Sequence, residues 1–206
     1  MTAALVIGAD RAFGGEIVEA LERDGHAVAR SFDEAADVLE LLVVNTPVAP
    51  RRIRFRDMTD ADFTSALEDQ LYVLTEAVRF AAPRMAAGGA IVHVGSKAHL
   101  GTWDGVELAA AGAACVALVR SLALELRGIR ANTLATDFVG ERWDSEASRI
   151  DLAATVAWLG SASARLISGE TILLDSGRSL RMPLAVSGQS AGAGSGAGAS
   201  SNTKSA

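Results

Sequence analysis

Short apolar runs alternate along the chain with longer segments of helical periodicity. The apolar runs predict strands over 3–8, 26–30, 39–45, 90–95, 129–134 and 170–175. The periodic segments predict helices over 14–25, 59–85, 106–126 and 148–159. Strict alternation of strands and helices predicts an α/β protein, in which helices cover both faces of a doubly wound parallel sheet.

Several residues mark the ends of these elements. Thr59 is a typical N-cap residue in front of the second helix. Pro83 and the pair Gly88–Gly89 predict where that helix ends. Gly25 ends the first helix in the same way.

The C-terminal segment differs from the rest of the chain. A chain of 206 residues suits one ordinary domain, and we place it over residues 1–184. Residues 185–206 consist almost entirely of Ser, Gly, Ala and a few polar residues, and cannot bury a core. We expect them to form a flexible tail.

Charge excludes some classes of partner. The net charge is -6, whereas proteins that bind nucleic acid or anionic membranes need a basic face. The densest basic cluster is Arg51, Arg52, Arg54 and Arg56, which we interpret as a solvated loop. No metal site is predicted.

The single cysteine and the N-terminus bear on location. Cys115 excludes an intrachain disulfide and is interpreted as a small buried hydrophobic residue. The N-terminus lacks the basic start of a signal peptide, and no stretch is expected to span a membrane. We therefore expect a cytoplasmic protein.

Three segments, in the right order, resemble the short-chain dehydrogenase/reductase family. They are RSLALELRGIRANTLATDFV at 120–139, GGAIVHVGS at 88–96 and SGETILLDSGRSLRM at 168–182. The resemblance extends from residue 3 to about 184 and implies a Rossmann-type sheet. It also implies descent from NAD(P)-dependent oxidoreductases that use an Asn-Ser-Tyr-Lys tetrad.

This chain departs from the tetrad at three of its four positions. Ser96 matches the serine, but Leu108 and Gly112 stand where tyrosine and lysine are expected, and Gln70 replaces the asparagine. In the family, the tyrosine exchanges a proton with the substrate, and the lysine lowers its pKa. Neither leucine nor glycine can do so. The single tyrosine, Tyr72, stands elsewhere on the second helix.

The segments that resemble the family's cofactor site are also altered. The glycine-rich turn IGADRAFG keeps Gly8 and Gly14 but has Ala12 where the family has a middle glycine. A β-carbon there takes space that the backbone needs to approach a pyrophosphate. Asn45 begins the segment that matches the family's Asn-Asn-Ala-Gly. We interpret Gly8, Gly14 and Asn45 as remnants, and expect no NAD(P) cofactor.

The connection between the second and third strands is unusually short. Only residues 31–38 lie there, where the family has a helix, a strand and another helix. A fully extended link of this length spans about 26–30 Å. That is just enough to return along one strand, roughly 20 Å, and to cross two strand spacings, roughly 10 Å. We predict about six strands in the family order 2-1-4-5-6-7, shortened on the adenine side.

Two further segments depart from the family. Thr136–Asp137 replaces the family's Pro-Gly, and the substrate lid is cut to 140–147.

Three functions remain open from these observations. The leading hypothesis is a non-catalytic subunit that pairs with an intact short-chain dehydrogenase through the helices around 59–85 and 106–126. A hydroxyacyl or ketoacyl thioester dehydrogenase is one such partner. One alternative is an active NAD(P)-dependent oxidoreductase with an atypical site, in which His99 or His93 carries the proton. The other is a sensor that binds a nucleotide or small ligand without turnover.

Overall fold

A computed structural model of the protein describes residues 2–49, 51–137 and 145–181. It contains a six-stranded, all-parallel sheet in the order β2-β1-β3-β4-β5-β6. The strands are β1 Thr2–Ile7, β2 His26–Ala29, β3 Leu39–Asn45, β4 Met85–Ser96, β5 Arg130–Thr136 and β6 Thr171–Leu174. The predicted doubly wound sheet and its strand order are confirmed. The expected tail at 185–206 and most of the shortened lid lie outside the described residues.

Helices cover both faces of the sheet. They are α1 Gly14–Arg23, α2 Asp60–Leu67, α3 Val73–Ala81, α4 Val106–Glu125 and α5 Glu146–Gly160. On β3, Leu41 and Val43 pack with α1 and α5, whereas Leu42 and Val44 pack with α3 and α4. Successive strand residues point to opposite faces, so one apolar run supplies both cores.

The stretch predicted as one helix over 59–85 is helical from Asp60 to Arg84, but it is not a uniform α-helix. A five-residue π-helical turn at Glu68–Tyr72 separates α2 from α3, and Ala82–Arg84 form a 3₁₀ turn. Thr59 caps α2 as predicted, because its hydroxyl accepts the N–H of Asp62 while the Asp62 carboxylate accepts the N–H of Thr59.

Strand β4 begins earlier than predicted. It starts at Met85, where the sequence predicts the end of a helix, and not at Ala90. Met85 pairs with Leu39 and Ala90 with Leu41, so the pairing register shifts between the two pairs. The extra residues form an irregularity at the start of the strand, which an apolar pattern does not reveal.

The short connection closes the sheet as predicted. Residues 31–38 contain one 3₁₀ turn, Phe32–Glu34, and the Glu34 carboxylate accepts the N–H of Arg30 at 2.8 Å. The Phe32 ring packs on Phe80 of α3, with 4.6 Å between the ring centroids. Because this connection contains a 3₁₀ turn and no strand, β2 lies at the edge of the sheet.

Helix α4 bears on the expectation that no stretch of the chain is long enough to span a membrane. By length and composition, it is long and apolar enough to cross a membrane. Cys115 and Val119 on one of its faces are buried against the sheet. This packing makes α4 a core helix of the fold.

Candidate functional site

The positions that match the catalytic tetrad lie close together at the carboxyl end of β4. Ser96 ends this strand and precedes a 3₁₀ turn, Lys97–Leu100, that packs against α4. A β-carbon built on Gly112 would lie 3.7 Å from Oε1 of Gln70 and 3.6 Å from the backbone nitrogen of His99. The π-helical turn carries Gln70 to this place, and such turns are frequent at functional sites.

The side chains at these positions form no proton-transfer system. Ser96 is buried, and its hydroxyl oxygen accepts the N–H of Ala98 at 3.1 Å, which caps the following turn. Leu108 is buried and apolar. The Gln70 side chain donates to the carbonyl of Ala66 one helical turn earlier. Tyr72 is exposed, so it does not replace the missing tyrosine.

The two histidines near β4 have different environments. His93 is fully buried, and its Nε2 is hydrogen-bonded to Thr46 Oγ1 at 2.9 Å. Burial, with a smaller contribution from the charge of His99, lowers the pKa of His93 to about 4. His93 is therefore neutral at pH 7 and enclosed in the core. His99 is half-buried, with Nδ1 3.0 Å from the carbonyl oxygen of Ser96.

The glycine turn between β1 and α1 is held by contacts within the chain. Gly8 has φ +84°, and a β-carbon there would lie 2.2 Å from the carbonyl oxygen of Asn45. At Gly14 it would lie 2.3 Å from the carbonyl oxygen of Ala9. The Asn45 amide donates to the carbonyls of Gly8 and Ala12, both at 2.9 Å. The three remnant residues therefore shape the turn itself.

The described residues do not fit a whole NAD(P) molecule. The α1 amino terminus still presents N–H groups that suit a phosphate. However, the Arg11 side chain folds back over the turn, with Cδ 3.3 Å from a β-carbon built on Gly8 and Nη1 donating to the Asp69 carbonyl. Beyond β2 at the sheet edge, residues 31–38 supply one 3₁₀ turn where an adenine would need a wall.

Sequence reasoning missed a charged cluster at the carboxyl edge of the sheet. Asp137 follows β5 and is bound by Lys97 Nζ at 3.0 Å and by Arg178 Nη1 at 3.1 Å. A pocket of about 300 Å³ lies here. The signal was available, because each of these residues follows a parallel strand, and ligands of such sheets bind at that edge.

Asp175 follows β6 beside this cluster. Burial works to raise the pKa of its carboxyl group, but hydrogen bonds from Ser179 and Gly177 outweigh burial, and the pKa is lowered. The charge of Lys97 adds to this lowering. Asp175 therefore remains a carboxylate that organises the turn after β6.

The basic cluster at 51–56 is less uniform than the sequence suggested. Arg51 is anchored to Asp69 at 2.7 Å and to Ser65 at 3.2 Å. Arg54 and Arg56 are exposed, as expected of a solvated loop.

Cys115 is buried, and burial raises the pKa of its thiol to about 12, so it acts as a small core residue.

Comparison with known proteins gives the chain a family. A family model described as enoyl-(acyl carrier protein) reductase matches residues 18–149, well over half of the chain. A search of curated proteins found no significant match.

Solved structures share the fold at low sequence identity. A short-chain dehydrogenase/reductase from Serratia marcescens superimposes with a TM-score of 0.74 at 23% identity, covering 85% of this chain and 96% of the other. A short-chain dehydrogenase from Burkholderia cenocepacia in complex with NADP gives 0.74 at 24%, covering 84% and 96%. The family match over residues 18–149, together with the parallel sheet, shows that the protein belongs to the short-chain dehydrogenase/reductase family.

Proposed function

We propose that this protein is a non-catalytic subunit that pairs with an intact short-chain dehydrogenase in a mixed oligomer. One observation carries the proposal: the chain has Leu108 and Gly112 where the resemblance places the family's tyrosine and lysine. Hydride transfer in the family needs a group that exchanges a proton with the substrate oxygen. Neither side chain has such a proton, and the nearby His93 is buried and neutral.

The nucleotide region supports the same proposal. The sheet ends at β2, and Arg11 lies over the glycine turn. The partner subunit would therefore hold the NAD(P) and perform the chemistry. The description of the matching family model names an acyl carrier protein reductase, which favours an acyl thioester as the partner's substrate.

An exposed apolar stripe on α4 is the surface we assign to the partner. Val106, Ala113, Ala117 and Leu124 lie on the side of α4 that faces away from the sheet, and Leu124 is 86% exposed. Their spacing places them along one face of the helix. Small residues let a second helix approach closely, and an exposed apolar stripe is typical of an interaction surface. We assign α2, which packs against α4, and α3, which follows α2, to the same surface.

Native mass spectrometry of the tagged chain purified from its own host tests the proposal. We expect a mixed oligomer with an intact dehydrogenase, carrying nucleotide in proportion to the partner only. A stable monomer, or a homo-oligomer with NAD(P) on every chain, would contradict it.

A pair of variants tests the surface. Ala117→Glu places a charge on the apolar stripe and should release the partner. Ala154→Glu is the matched control, because Ala154 is also an exposed helical alanine but lies on α5, across the sheet. Equal loss of the partner in both variants would contradict the assigned surface.

The atypical-enzyme alternative depends on His99, which lies next to Ser96. If a purified preparation shows turnover, His99→Ala decides this alternative, and unchanged rates would dismiss it. The cytoplasmic location stays a prediction.

A further inference from the structure

A pocket beside the altered tetrad combines charged and apolar walls. It lies at the carboxyl ends of β4, β5 and β6 and has a volume of about 300 Å³, at the small end of the range for small-molecule sites. Lys97, Asp137 and Arg178 line one part, and Leu100, Trp103 and Leu108 line another. Leu108, which removes the family's tyrosine, therefore forms an apolar wall of this pocket.

The charged part is arranged with its cations towards the opening. The Asp137 side chain is only 5% exposed, whereas Lys97 and Arg178 are 22% and 38% exposed. Asp137 binds one nitrogen of each cation, and an ammonium has three donors and a guanidinium five. The positive ends of the cluster can therefore donate to a ligand while the negative end is covered.

Of two further groups near this part of the pocket, Ser179 lines it and Asp175 lies behind it. The Asp175 carboxylate is buried, and its oxygens accept the backbone N–H groups of Gly177 and Ser179, so its charge is stabilised within the turn. Ser179 lines the pocket, and its hydroxyl lies beside the Asp175 carboxylate, which it helps to stabilise.

We infer that this pocket binds a small organic carboxylate with an apolar body. The guanidinium of Arg178 and the ammonium of Lys97 suit a carboxylate, since charged hydrogen bonds of this kind are strong and directional. Trp103, which is 82% exposed, and Leu108 suit the apolar body. The inference goes beyond the proposed function, because the binding residues all belong to this chain and need no partner subunit.

Titration of the ¹⁵N-labelled full chain with benzoate, followed by NMR, tests the inference. We expect saturable shifts centred on Trp103 and the 97–101 segment, with a dissociation constant of about 1 mM for so small a ligand. Benzamide has the same shape without the charge, and should bind at least about tenfold more weakly. Absence of saturation with benzoate, or equal binding of benzamide, would overturn the inference.

Two variants should shift the affinity in opposite directions. Arg178→Met removes a cation and should weaken benzoate binding about tenfold, whereas Asp137→Asn removes the competing carboxylate and should strengthen it. Arg165→Met, at an exposed arginine on another surface, is the control and should leave it unchanged.

A parallel titration with inorganic phosphate distinguishes a carboxylate site from a phosphate site. Inorganic phosphate lacks the apolar body and should bind more weakly than benzoate. If phosphate binds as tightly, the assignment of a carboxylate ligand is wrong. If Arg178→Met binds benzoate as the unaltered chain does, the site itself is wrong. Thermal unfolding of each variant shows whether a loss of binding reflects a loss of folding.

Discussion

Gly112 and Gln70 remain neighbours although both differ from the residues that the family's tetrad has there. A β-carbon on Gly112 would lie 3.7 Å from Oε1 of Gln70, an ordinary van der Waals distance. Two positions that the resemblance assigns to the tetrad are therefore close together in the fold. Room for a side chain at Gly112 has a direct consequence for stability.

Gly112→Ala should raise the free energy of unfolding by about 0.5–1 kcal/mol, because glycine inside a helix loses more conformational freedom than alanine. The new methyl group meets its nearest neighbours at 3.6 Å or more. Urea denaturation measures the change.

Gly8→Ala is the contrasting variant. Gly8 has φ +84°, and a β-carbon would lie 2.2 Å from the Asn45 carbonyl oxygen, so this change should destabilise the protein. Stabilisation at Gly8, or destabilisation at Gly112, would contradict the described geometry.

Ala12→Gly should not create NADPH binding. The change restores the middle glycine of the turn, but the sheet still ends at β2 and supplies no wall for an adenine. Fluorescence titration with NADPH should give no saturable signal for the unaltered chain or the variant. Binding by the variant alone would show that Ala12, and not the short link, removed the cofactor.

Arg130→Met should destabilise the fold by about 2–4 kcal/mol, because it leaves buried carbonyl groups without partners. The Arg130 guanidinium donates to the carbonyls of Leu159, Gly160, Ser161 and Ala164 at the end of α5. Urea denaturation measures the loss, and Arg165→Met is the control for removal of an exposed arginine.

Stability should depend on pH through His93. Its pKa is about 4 in the folded protein against 6.5 in the unfolded chain, so between these values the unfolded state binds more protons. The contribution of His93 to the free energy of unfolding is therefore fully present above pH 6.5. It is lost as the pH falls towards 4, which lowers the free energy of unfolding by about 3 kcal/mol.

Denaturation of His93→Gln between pH 7.5 and pH 4 isolates this effect, since the variant should lack that part of the pH dependence. His26→Gln, at a less buried histidine on the edge strand, should keep it. If the two variants have the same slope, His93 is not the titrating group.

The α/β class, the strand order and the missing adenine side could all be predicted from the chain. Buried parallel strands are continuous apolar runs, and the number of residues between two strands limits what can connect them. The altered tetrad positions could be named because they lie at a set spacing before a segment that resembles the family. The π-helical turn at Glu68–Tyr72 could not be predicted, since one extra residue per turn leaves no clear mark on an apolar pattern.

The residue types at positions 108 and 112 can be read directly from the chain, and no packing gives Leu108 or Gly112 an exchangeable side-chain proton. The charged groups that meet near them depend on the folded arrangement. Lys97, Asp137 and Arg178 are far apart along the chain, and they meet because three parallel strands end at one edge of the sheet. Such a meeting depends on strand register and side-chain direction, which no local pattern records.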